Sequence, residues 1–262
     1  MNNTNKSYSP LISVITVTFN AAQFIEQSLA SIASQCDADF ELIIIDGGSD
    51  DGTVDIIKKY QPSIFYWHSR PDRGLTHAFN IGIEKSRGKW LIFINSDDFL
   101  VDSNVLLSAS KYLLKSPEAD VIYGNVLVVN RGDDALIVGG PYGKKFSWIR
   151  HLINNKIPHQ GAFISRDYFN AVGLYDESYL IGADYELFLR KKSKLNAIFI
   201  PLLISKMRDG GLSKINQSLC NEEWHAGRVK NRVLRVYILF LLKILIAIKL
   251  KSGSILKRFK YS

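Results

Sequence analysis

Residues 88–100 have the sequence GKWLIFINSDDFL, in which an apolar run leads directly into two adjacent carboxylates. The run from Trp90 to Ile94 has the composition of a buried strand. Asp97 and Asp98 follow it almost at once. Two like charges side by side repel each other, and each loses hydration when it is partly buried. A basic side chain or a metal ion is therefore expected beside this pair.

Strand-like and helix-like segments alternate around this stretch. Predicted strands lie at residues 11–18, 40–46, 63–69 and 89–94, and predicted helices at residues 21–35, 49–60 and 75–86. Farther along, helices are predicted at residues 101–116 and 182–193, strands at residues 119–130, 159–166 and 196–200, and a hairpin turn at residues 131–134. Strands that alternate with helices favour βαβ units, so the sequence predicts an α/β fold with a mostly parallel central sheet flanked by helices.

Polar and small side chains follow three of the predicted strands, at the point where each strand ends. They are Thr18-Phe19-Asn20 after the first strand, Asp46-Gly47 after the second and Asn95-Ser96-Asp97-Asp98 after the fourth. Ligands of open α/β sheets bind at the carboxyl ends of the strands. The three strand ends are therefore expected to form one polar crevice.

Each acidic motif has a functional and a structural interpretation. The glycines after Asp46 permit a ligand to approach the backbone closely, whereas Ser49 and Asp50 also fit ordinary turn and helix-cap chemistry. The carboxylates of Asp97 and Asp98 suit Mg²⁺ or Mn²⁺ together with substrate phosphates, and the alternative is a helix cap or a solvated acidic turn. Their occurrence together at strand ends favours a metal site.

Asp184 lies in the first turn of the predicted helix at residues 182–193. A helix N-terminus stabilises a carboxylate and keeps it ionised. An ionised carboxylate can accept the proton of an attacking hydroxyl group, which would make Asp184 a general base. The alternative is a simple capping residue.

Charge is distributed unevenly along the 262 residues, whose formal net charge is +8. Ten Lys and Arg side chains and no acid lie from residue 228 onward, which leaves 23 basic and 25 acidic side chains in residues 1–227. This distribution argues against a nucleic-acid-binding core and favours a tail that meets an anionic surface. The two cysteines are far apart in the sequence, which fits a reducing cytosol, and residues 1–9 lack the apolar segment of a signal peptide.

The C-terminal tail combines apolar and basic residues. Its apolar stretch, residues 236–248, is interrupted by Lys243 and falls short of the roughly 20 residues needed to cross a bilayer. Dense positive charge beside such a stretch is typical of an amphipathic helix that lies in the interface of an anionic membrane. The alternative is a helix that packs on the folded domain or on a partner chain.

Four segments in this order resemble the inverting, GT-A-fold glycosyltransferases of family 2. They are SVITVTFNAAQFIEQSLASIASQ (residues 13–35), ELIIIDGGSDDGT (41–53), DRGLTHAFNIGIEKSRGKWLIFINSDD (72–98) and GADYELFLR (182–190). The resemblance extends over about residues 11–213. It implies a catalytic domain at residues 11–215, with a nucleotide-binding half (11–100) and an acceptor half (101–215), between a disordered N-terminus (1–10) and a basic, membrane-associating tail (216–262).

The resemblance also implies roles for individual residues. Asp184 would be the general base, Asp97 and Asp98 would hold Mn²⁺ or Mg²⁺, and Asp46 would accept a hydrogen bond from the nucleobase. The family often has Asp where this chain has Asn95 and Arg where it has Phe79, so Arg73 is expected to supply the phosphate contact. The full nucleotide-sugar site would comprise Thr18, Phe19, Asn20, Asp46, Gly47, Arg73, Asn95, Ser96 and Asp97.

A second group of residues is expected to contact the acceptor or to form a lid. The segment KMRDGGLS (residues 206–213) resembles the loop that closes over the donor in related enzymes, and a flexible surface turn is the alternative. The lid and acceptor candidates are His159, Arg208, Gly210 and Gly211. For His159 an ordinary structural role is the competing interpretation.

Taken together, the resemblance implies an enzyme that transfers a sugar from a nucleotide-sugar, with UDP as the expected nucleotide. The expected acceptor is an oligosaccharide linked to undecaprenyl diphosphate, as in bacterial O-antigen or capsule synthesis. The expected location is the inner face of the cytoplasmic membrane, and no nucleic-acid partner is expected. Two alternatives are a sugar-phosphate nucleotidyltransferase and a catalytically silent, membrane-bound scaffold of the same fold.

Overall fold

The computed structural model describes residues 8–243 and residue 246. Its strands are β1 (Ile12–Thr18), β2 (Phe40–Asp46), β3 (Tyr66–Ser69), β4 (Trp90–Phe93), β5 (Phe99–Leu100), β6 (Val121–Asn130), β7 (Asp133–Tyr142), β8 (Ala162–Ser165) and β9 (Ala197–Arg208). Its helices are α1 (Ile25–Ala33), α2 (Thr53–Lys59), α3 (Leu75–Lys85), α4 (Val105–Leu113), α5 (Trp148–Ile153), α6 (Arg166–Val172), α7 (Ala183–Leu189), α8 (Leu212–Ile215) and α9 (Gln217–Lys230).

These strands form one sheet in the order β3-β2-β1-β4-β8-β6-β9-β5, with β7 also paired to β6. The pairs among β1, β2, β3 and β4 are parallel. Strand β8 runs antiparallel to both β4 and β6, so β6 and its parallel neighbour β9 point in the same direction as β4. The predicted α/β fold is confirmed, and its purely parallel part is the N-terminal half.

Helices cover both faces of the sheet, as strand β1 shows. All seven of its residues are buried. Ile15 and Val17 pack in one core cluster with α3, whereas Ile12 and Val14 pack in another cluster with α1. Successive side chains of a strand point to opposite faces, so a strand buried on both sides requires a continuous apolar run. The β-branched sequence of β1 satisfies this requirement.

The structure tests the predicted domain boundary at the C-terminal end and describes little of the predicted N-terminal segment. Of the predicted disordered residues 1–10, only residues 8–10 are described. At the other end, α9 packs against α7 within the catalytic fold. The predicted tail boundary after residue 215 therefore comes too early, because α9 begins just beyond it and belongs to the folded domain.

A further helical stretch, residues 234–243, follows α9. One side of it packs on the domain, where the guanidinium of Arg228 lies 4.4 Å from the centre of the Tyr237 ring. Its other side leaves large apolar side chains exposed, including Val236, Leu239 and Leu242. Residues 244, 245 and 247–262 of the predicted membrane-associating tail lie outside the described residues. Within the described part of the chain, no helix has both the length and the apolar character that crossing a bilayer requires.

Candidate active site

A cavity of about 1860 Å³ opens at the carboxyl ends of the parallel strands. Its walls come from the loops after β1, β2 and β4, from the segments around residues 143–160 and 180–184, and from parts of α8 and α9. Sites for one small molecule usually measure about 300–1,000 Å³. The cavity therefore has room for two ligands side by side, and the polar crevice predicted at the strand ends is one of its walls.

The loops after β1 and β2 are tied together by hydrogen bonds. The backbone N–H of Asn20 donates to Ser49 Oγ at 2.8 Å, and the backbone N–H of Asp50 donates to Asn20 Oδ1 at 3.0 Å. This link holds Phe19 at the mouth of the cavity, where 65% of its surface is exposed. An exposed aromatic ring on a fixed loop is a suitable platform for a planar base.

Gly47 lies at the base of a narrow slot between Phe19 and Asp72. A Cβ atom at this position would lie 3.3 Å from the Phe19 ring and 3.0 Å from Asp72 Oδ2. Thr18, at the end of β1, also lines the cavity, and its buried Oγ1 has no hydrogen-bond partner among the described residues. The slot therefore has an aromatic side and a carboxylate side, and a buried hydroxyl without a partner among the described residues lies at the end of β1.

Asp46 does not face this slot. The side chain is fully buried, and it is not part of the cavity wall. Its oxygens accept hydrogen bonds from the backbone N–H groups of Gly48 and Ser49 and from the hydroxyls of Ser49 and Ser69. The predicted direct contact of Asp46 with a nucleobase does not fit this placement. The carboxylate instead fixes the loop that carries Gly47.

Asp72 is the carboxylate that faces the slot, and the sequence analysis did not single it out. Its Oδ1 accepts a 2.7 Å hydrogen bond from the backbone N–H of Gly74, which leaves Oδ2 directed towards Gly47. The available signal was its position just after β3, because this fourth parallel strand end borders the same crevice as the other three.

Arg73 does not point into the cavity either. Its guanidinium donates two hydrogen bonds to Glu177 Oε2, at 3.0 and 2.7 Å, on the outer surface. It is not among the residues that line the cavity, although its neighbours Asp72 and Gly74 are. The predicted phosphate contact by Arg73 is therefore at odds with the structure, and the ion pair with Glu177 explains its position.

Asp97 and Asp98 occupy different environments after β4. Asp97 is partly exposed, and Arg131 Nη1 lies 3.7 Å from its Oδ2. Asp98 is buried, and burial together with repulsion from Asp97 raises its pKa well above the usual range of an aspartate. The positive partner expected from the sequence is thus present as Arg131, which comes from the turn between β6 and β7.

The same motif also contains buried oxygens without partners. Asp98 Oδ2 and Asn95 Oδ1 make no hydrogen bond within the described residues. Such atoms are costly to bury unless a ligand satisfies them. No group of three or more His, Cys, Asp or Glu side chains in the described part of the chain is arranged as a metal site. The oxygen atoms of Asp97, Asp98 and Asn95 are donors of the type that a hard divalent cation takes together with substrate phosphates and water.

Arg208 is a buried anchor and not a mobile lid residue. Its guanidinium donates to both carboxylate oxygens of Asp134, at 2.9 and 2.7 Å, and to the backbone carbonyl of Asp97 at 2.8 Å. It also donates to the side chain of Gln27. Only 4% of the residue is exposed. Arg208 thus joins the end of β9, the β6–β7 turn and the acidic motif.

The two predicted lid glycines do lie in an open part of the chain. Gly210 has a φ of +86°, and a Cβ atom at Gly210 or Gly211 would meet no atom of the described residues within 4 Å. Gly211 lines the cavity. A left-handed glycine next to open space is a plausible hinge position, so a role for this pair in a lid stays a prediction.

Asp184 projects into the opposite side of the cavity from the first turn of α7. Its Oδ2 accepts a 2.6 Å hydrogen bond from Asn155 Nδ2, and its Oδ1 accepts one from the backbone N–H of Tyr185 at 2.7 Å. Burial raises the pKa of Asp184 to about 6, against the lowering effect of these two hydrogen bonds. The sequence predicts that the helix N-terminus keeps this carboxylate ionised, whereas in the structure burial has the larger effect on its pKa.

His159 lines the cavity but is held within an aromatic cluster. Its ring stacks on Phe93 with 4.9 Å between ring centres, and its Nε2 lies 2.8 Å from the hydroxyl of Tyr175. Burial lowers its pKa to about 4, so the imidazole is neutral near pH 7. This environment favours the structural interpretation of His159 over a role in moving a proton.

The sequence also matches a known family. The profile described as glycosyl transferase family 2 matches residues 13–172, which is more than half of the chain. The chain belongs to glycosyltransferase family 2. This glycosyltransferase is 31% identical over 185 residues to the PGL/p-HBAD biosynthesis glycosyltransferase of Mycobacterium tuberculosis, and the match covers 70% of each chain. It is 28% identical over 190 residues to an uncharacterised glycosyltransferase of Rickettsia typhi, over 70% of this chain and 59% of that one.

Solved structures resemble this glycosyltransferase in fold. S. aureus TarS 1-349 in complex with UDP-GlcNAc matches with a TM-score of 0.63 at 18% identity, over 76% of this chain and 59% of TarS 1-349. The mannosyltransferase PcManGT from Pyrobaculum calidifontis, in complex with GDP-Man and Mn²⁺, matches with a TM-score of 0.59 at 20% identity, over 76% of this chain and 57% of that one. This glycosyltransferase therefore spans less than two thirds of either protein, and the likeness shows its GT-A fold.

Proposed function

We propose that this glycosyltransferase transfers a sugar from a UDP-sugar to an acceptor hydroxyl in a single displacement that inverts the anomeric configuration. The observation that supports this most strongly is the partly buried Asp184, held by Asn155 on one side of a cavity whose other side carries Asp97 and Asp98. A carboxylate that can accept the proton of the acceptor hydroxyl suits direct attack by that hydroxyl. An α-linked donor would then give a β-linked product.

The nucleotide would bind on the side of the cavity formed by the loops after β1, β2 and β3. Phe19 would stack on the base, and Asp72 would accept a hydrogen bond from it in the slot above Gly47. TarS, whose fold is similar, has been solved with UDP and with UDP-GlcNAc. The choice of UDP over other nucleotides rests on this likeness.

A divalent cation, Mn²⁺ or Mg²⁺, would be held by Asp97 and Asp98. When bound there, such a cation would neutralise charge on the departing diphosphate. Arg131 lies beside Asp97 in the structure and would have to give way or turn towards the phosphates. Asp97 is the more accessible of the two ligands, so it is expected to contribute more to metal affinity than the buried Asp98.

Asp184 would take the proton from the acceptor hydroxyl as this hydroxyl attacks the anomeric carbon. A general base works best when its pKa lies near the operating pH, and the raised pKa of Asp184 meets this condition while the carboxylate stays mostly ionised at neutral pH. The hydrogen bond from Asn155 leaves Oδ2 in a fixed direction, which favours one orientation of the acceptor.

The proposed acceptor is a glycan carried on a lipid diphosphate, and the proposed location is the inner face of a bacterial membrane. The exposed side chains within residues 234–243 and at residue 246 support this location, because Val236, Leu239 and Ile246 lie close in sequence to Arg235 and Lys243, and this stretch of the sequence contains no acidic residue. Apolar side chains among cations suit an anionic bilayer surface. Synthesis of O-antigen or capsule is the proposed context.

The decisive experiment is a panel of nucleotide-sugars tested with Mn²⁺, a diphospholipid glycan acceptor and the Asp184→Asn variant. The wild type should transfer sugar only with metal present, and the product linkage, read by NMR, should be inverted. Asp184→Asn should retain UDP binding and lose transfer. A retained configuration, or unchanged turnover in the variant, would contradict the proposed mechanism.

Removing residues 232–262 should release the protein from anionic vesicles, and continued binding would refute the proposed membrane contact.

A further inference from the structure

One wall of the cavity is strongly basic. Residues 135–166 contain five Lys and Arg side chains and no Asp or Glu. Four of these cations line the cavity, and we call them the cation wall: Lys144, Lys145, Arg150 and Lys156. A basic stretch of this kind on a protein surface is often unremarkable, so its partners and its position decide whether it has a role.

The cation wall differs from the other basic residues around the same cavity. Arg131 pairs with Asp97, Arg208 with Asp134, and Lys214 with Asp209. None of the four cations of the wall makes an ion pair within the described residues. The cavity is therefore lined by two kinds of cation. Arg131, Arg208 and Lys214 already have acidic partners, whereas the four cations of the wall have no acidic partner among the described residues.

The backbone beneath the cation wall is fixed. The carbonyl of Lys144 accepts a 2.6 Å hydrogen bond from the hydroxyl of Tyr123, a buried residue of β6. Gly143 packs so closely on β6 that a Cβ atom would lie 2.7 Å from the carbonyl oxygen of Gly124. In α5, His151 is fully buried and Lys156 N–H donates to its Nδ1 at 3.3 Å. Charged side chains therefore project from a rigid support into the cavity.

The cation wall also adjoins the proposed base. Asn155 immediately precedes Lys156 and donates the 2.6 Å hydrogen bond to Asp184. The attacking hydroxyl has to reach Asp184, so the ligand expected nearest Lys156 is the acceptor and not the nucleotide. The acids of the cavity wall other than Asp184 lie in the loops after β1 to β4, away from this segment.

We infer that the cation wall binds a phosphate or diphosphate group carried by the acceptor itself. This inference rests on the proposed function and names the part of the acceptor that the enzyme recognises. Four cations without acidic partners match the two to three negative charges of a diphosphate ester, and phosphate oxygens accept hydrogen bonds from Lys and Arg. A neutral glycan alone would leave these charges uncompensated.

Binding of geranyl diphosphate tests the inference without knowledge of the glycan. Titration calorimetry would be run with saturating UDP and Mn²⁺, so that the donor site is already filled, and geraniol would serve as the uncharged analogue. Each single Lys→Gln or Arg→Gln change in the cation wall should weaken geranyl diphosphate binding about three- to fivefold, and all four together roughly 100-fold. UDP affinity should not change.

The matched control replaces four exposed lysines outside the cavity, Lys111, Lys115, Lys192 and Lys194, with Gln. This variant has the same net charge as the variant lacking the cation wall, so it should retain geranyl diphosphate binding if position matters and not total charge. Equal losses in both variants would overturn the inference, as would full binding by the variant without the cation wall. If the wild type does not bind UDP, the proposed function itself is contradicted.

A membrane phospholipid is the other source of the same phosphate chemistry. The two sources are separated by flotation with vesicles of phosphatidylglycerol and of phosphatidylcholine. The inference expects the variant without the cation wall to float with phosphatidylglycerol vesicles as the wild type does. If this variant no longer floats but still binds geranyl diphosphate as the wild type does, the four cations bind the bilayer. That result would refute an acceptor subsite.

Discussion

Asn155 Nδ2 lies 2.6 Å from Asp184 Oδ2, so the proposed base is oriented by a neighbour 29 residues away in sequence. The same Asn155 side chain accepts a hydrogen bond from the backbone N–H of Ile157 at 3.2 Å. Its amide is thereby fixed with the nitrogen towards the carboxylate. Asn155 is a positioning residue for Asp184, and it comes from a segment that the sequence motifs do not include.

Replacing Asn155 with Ala should lower kcat about 10- to 100-fold with little change in the KM for the donor. The hydrogen bond from Asn155 lowers the pKa of Asp184, so its loss should also move the acidic limb of the pH–rate profile to higher pH. Steady-state kinetics between pH 5 and 8 would measure both effects. The Asn154→Ala variant is the control, because Asn154 also lines the cavity and its side chain makes no hydrogen bond to Asp184. A profile that does not shift would show that Asn155 acts only on stability.

The wild-type enzyme should lose activity on the acidic side of about pH 6. Burial raises the pKa of Asp184 to about 6, and only the ionised carboxylate can accept the proton of the acceptor, so kcat/KM should fall as pH decreases through this value. At pH 5 the rate should be about a tenth of its plateau.

His159 provides the control for this pH dependence. Its pKa is lowered to about 4 by burial, so it does not titrate near pH 6. The His159→Gln variant should keep the midpoint of the acidic limb even if its turnover falls. A shifted midpoint in the His159→Gln variant would show that the acidic limb reports the titration of the imidazole and not that of Asp184.

Substitution of Asp72 should weaken UDP binding, whereas substitution of its neighbour Arg73 should leave UDP binding nearly unchanged. Asp72→Asn should weaken UDP binding about tenfold, because its carboxylate faces the slot above Gly47. Arg73→Gln should leave UDP affinity within about twofold, because its guanidinium is engaged by Glu177 outside the cavity. Calorimetric titration with UDP and Mn²⁺ would compare the two. A larger loss of UDP affinity in the Arg73 variant than in the Asp72 variant would support the phosphate contact predicted for Arg73 from the sequence.

The sequence predicted the core of this fold because burial on both faces of a parallel sheet leaves a strong signal. Strands β1, β2 and β4 are continuous apolar runs, and each was placed within one or two residues. The short strand β5 and helices α5 and α6 were missed. They are too short for a repeating pattern, and their positions depend on tertiary contacts with β9, α7 and β4.

The predicted site residues differ in how they lie relative to the cavity. The acidic motif and Asp184 each had a capping or turn alternative in the sequence, the resemblance to family 2 pointed to their roles, and both line the cavity. For Asp46 and Arg73, the residue type suited a ligand, but local hydrogen bonds to Ser69 and Glu177 turn the side chains away. A sequence pattern does not record which of several possible partners a polar side chain takes.

Glu223 of α9 should be essential for stability although it touches no proposed substrate. Its carboxylate accepts hydrogen bonds from the backbone N–H groups of Leu180, Ile181 and Gly182, at 2.8, 2.9 and 2.6 Å, in the loop that leads to Asp184. Glu223→Gln turns one acceptor oxygen into a donor that faces these N–H groups, so the free energy of unfolding should fall by about 2–4 kcal/mol. Urea denaturation would measure it against Glu222→Gln, whose exposed side chain contacts only Ser218. Equal stability of the two variants would show that α9 is not needed to hold the loop, and the tail would then begin where the sequence analysis placed it.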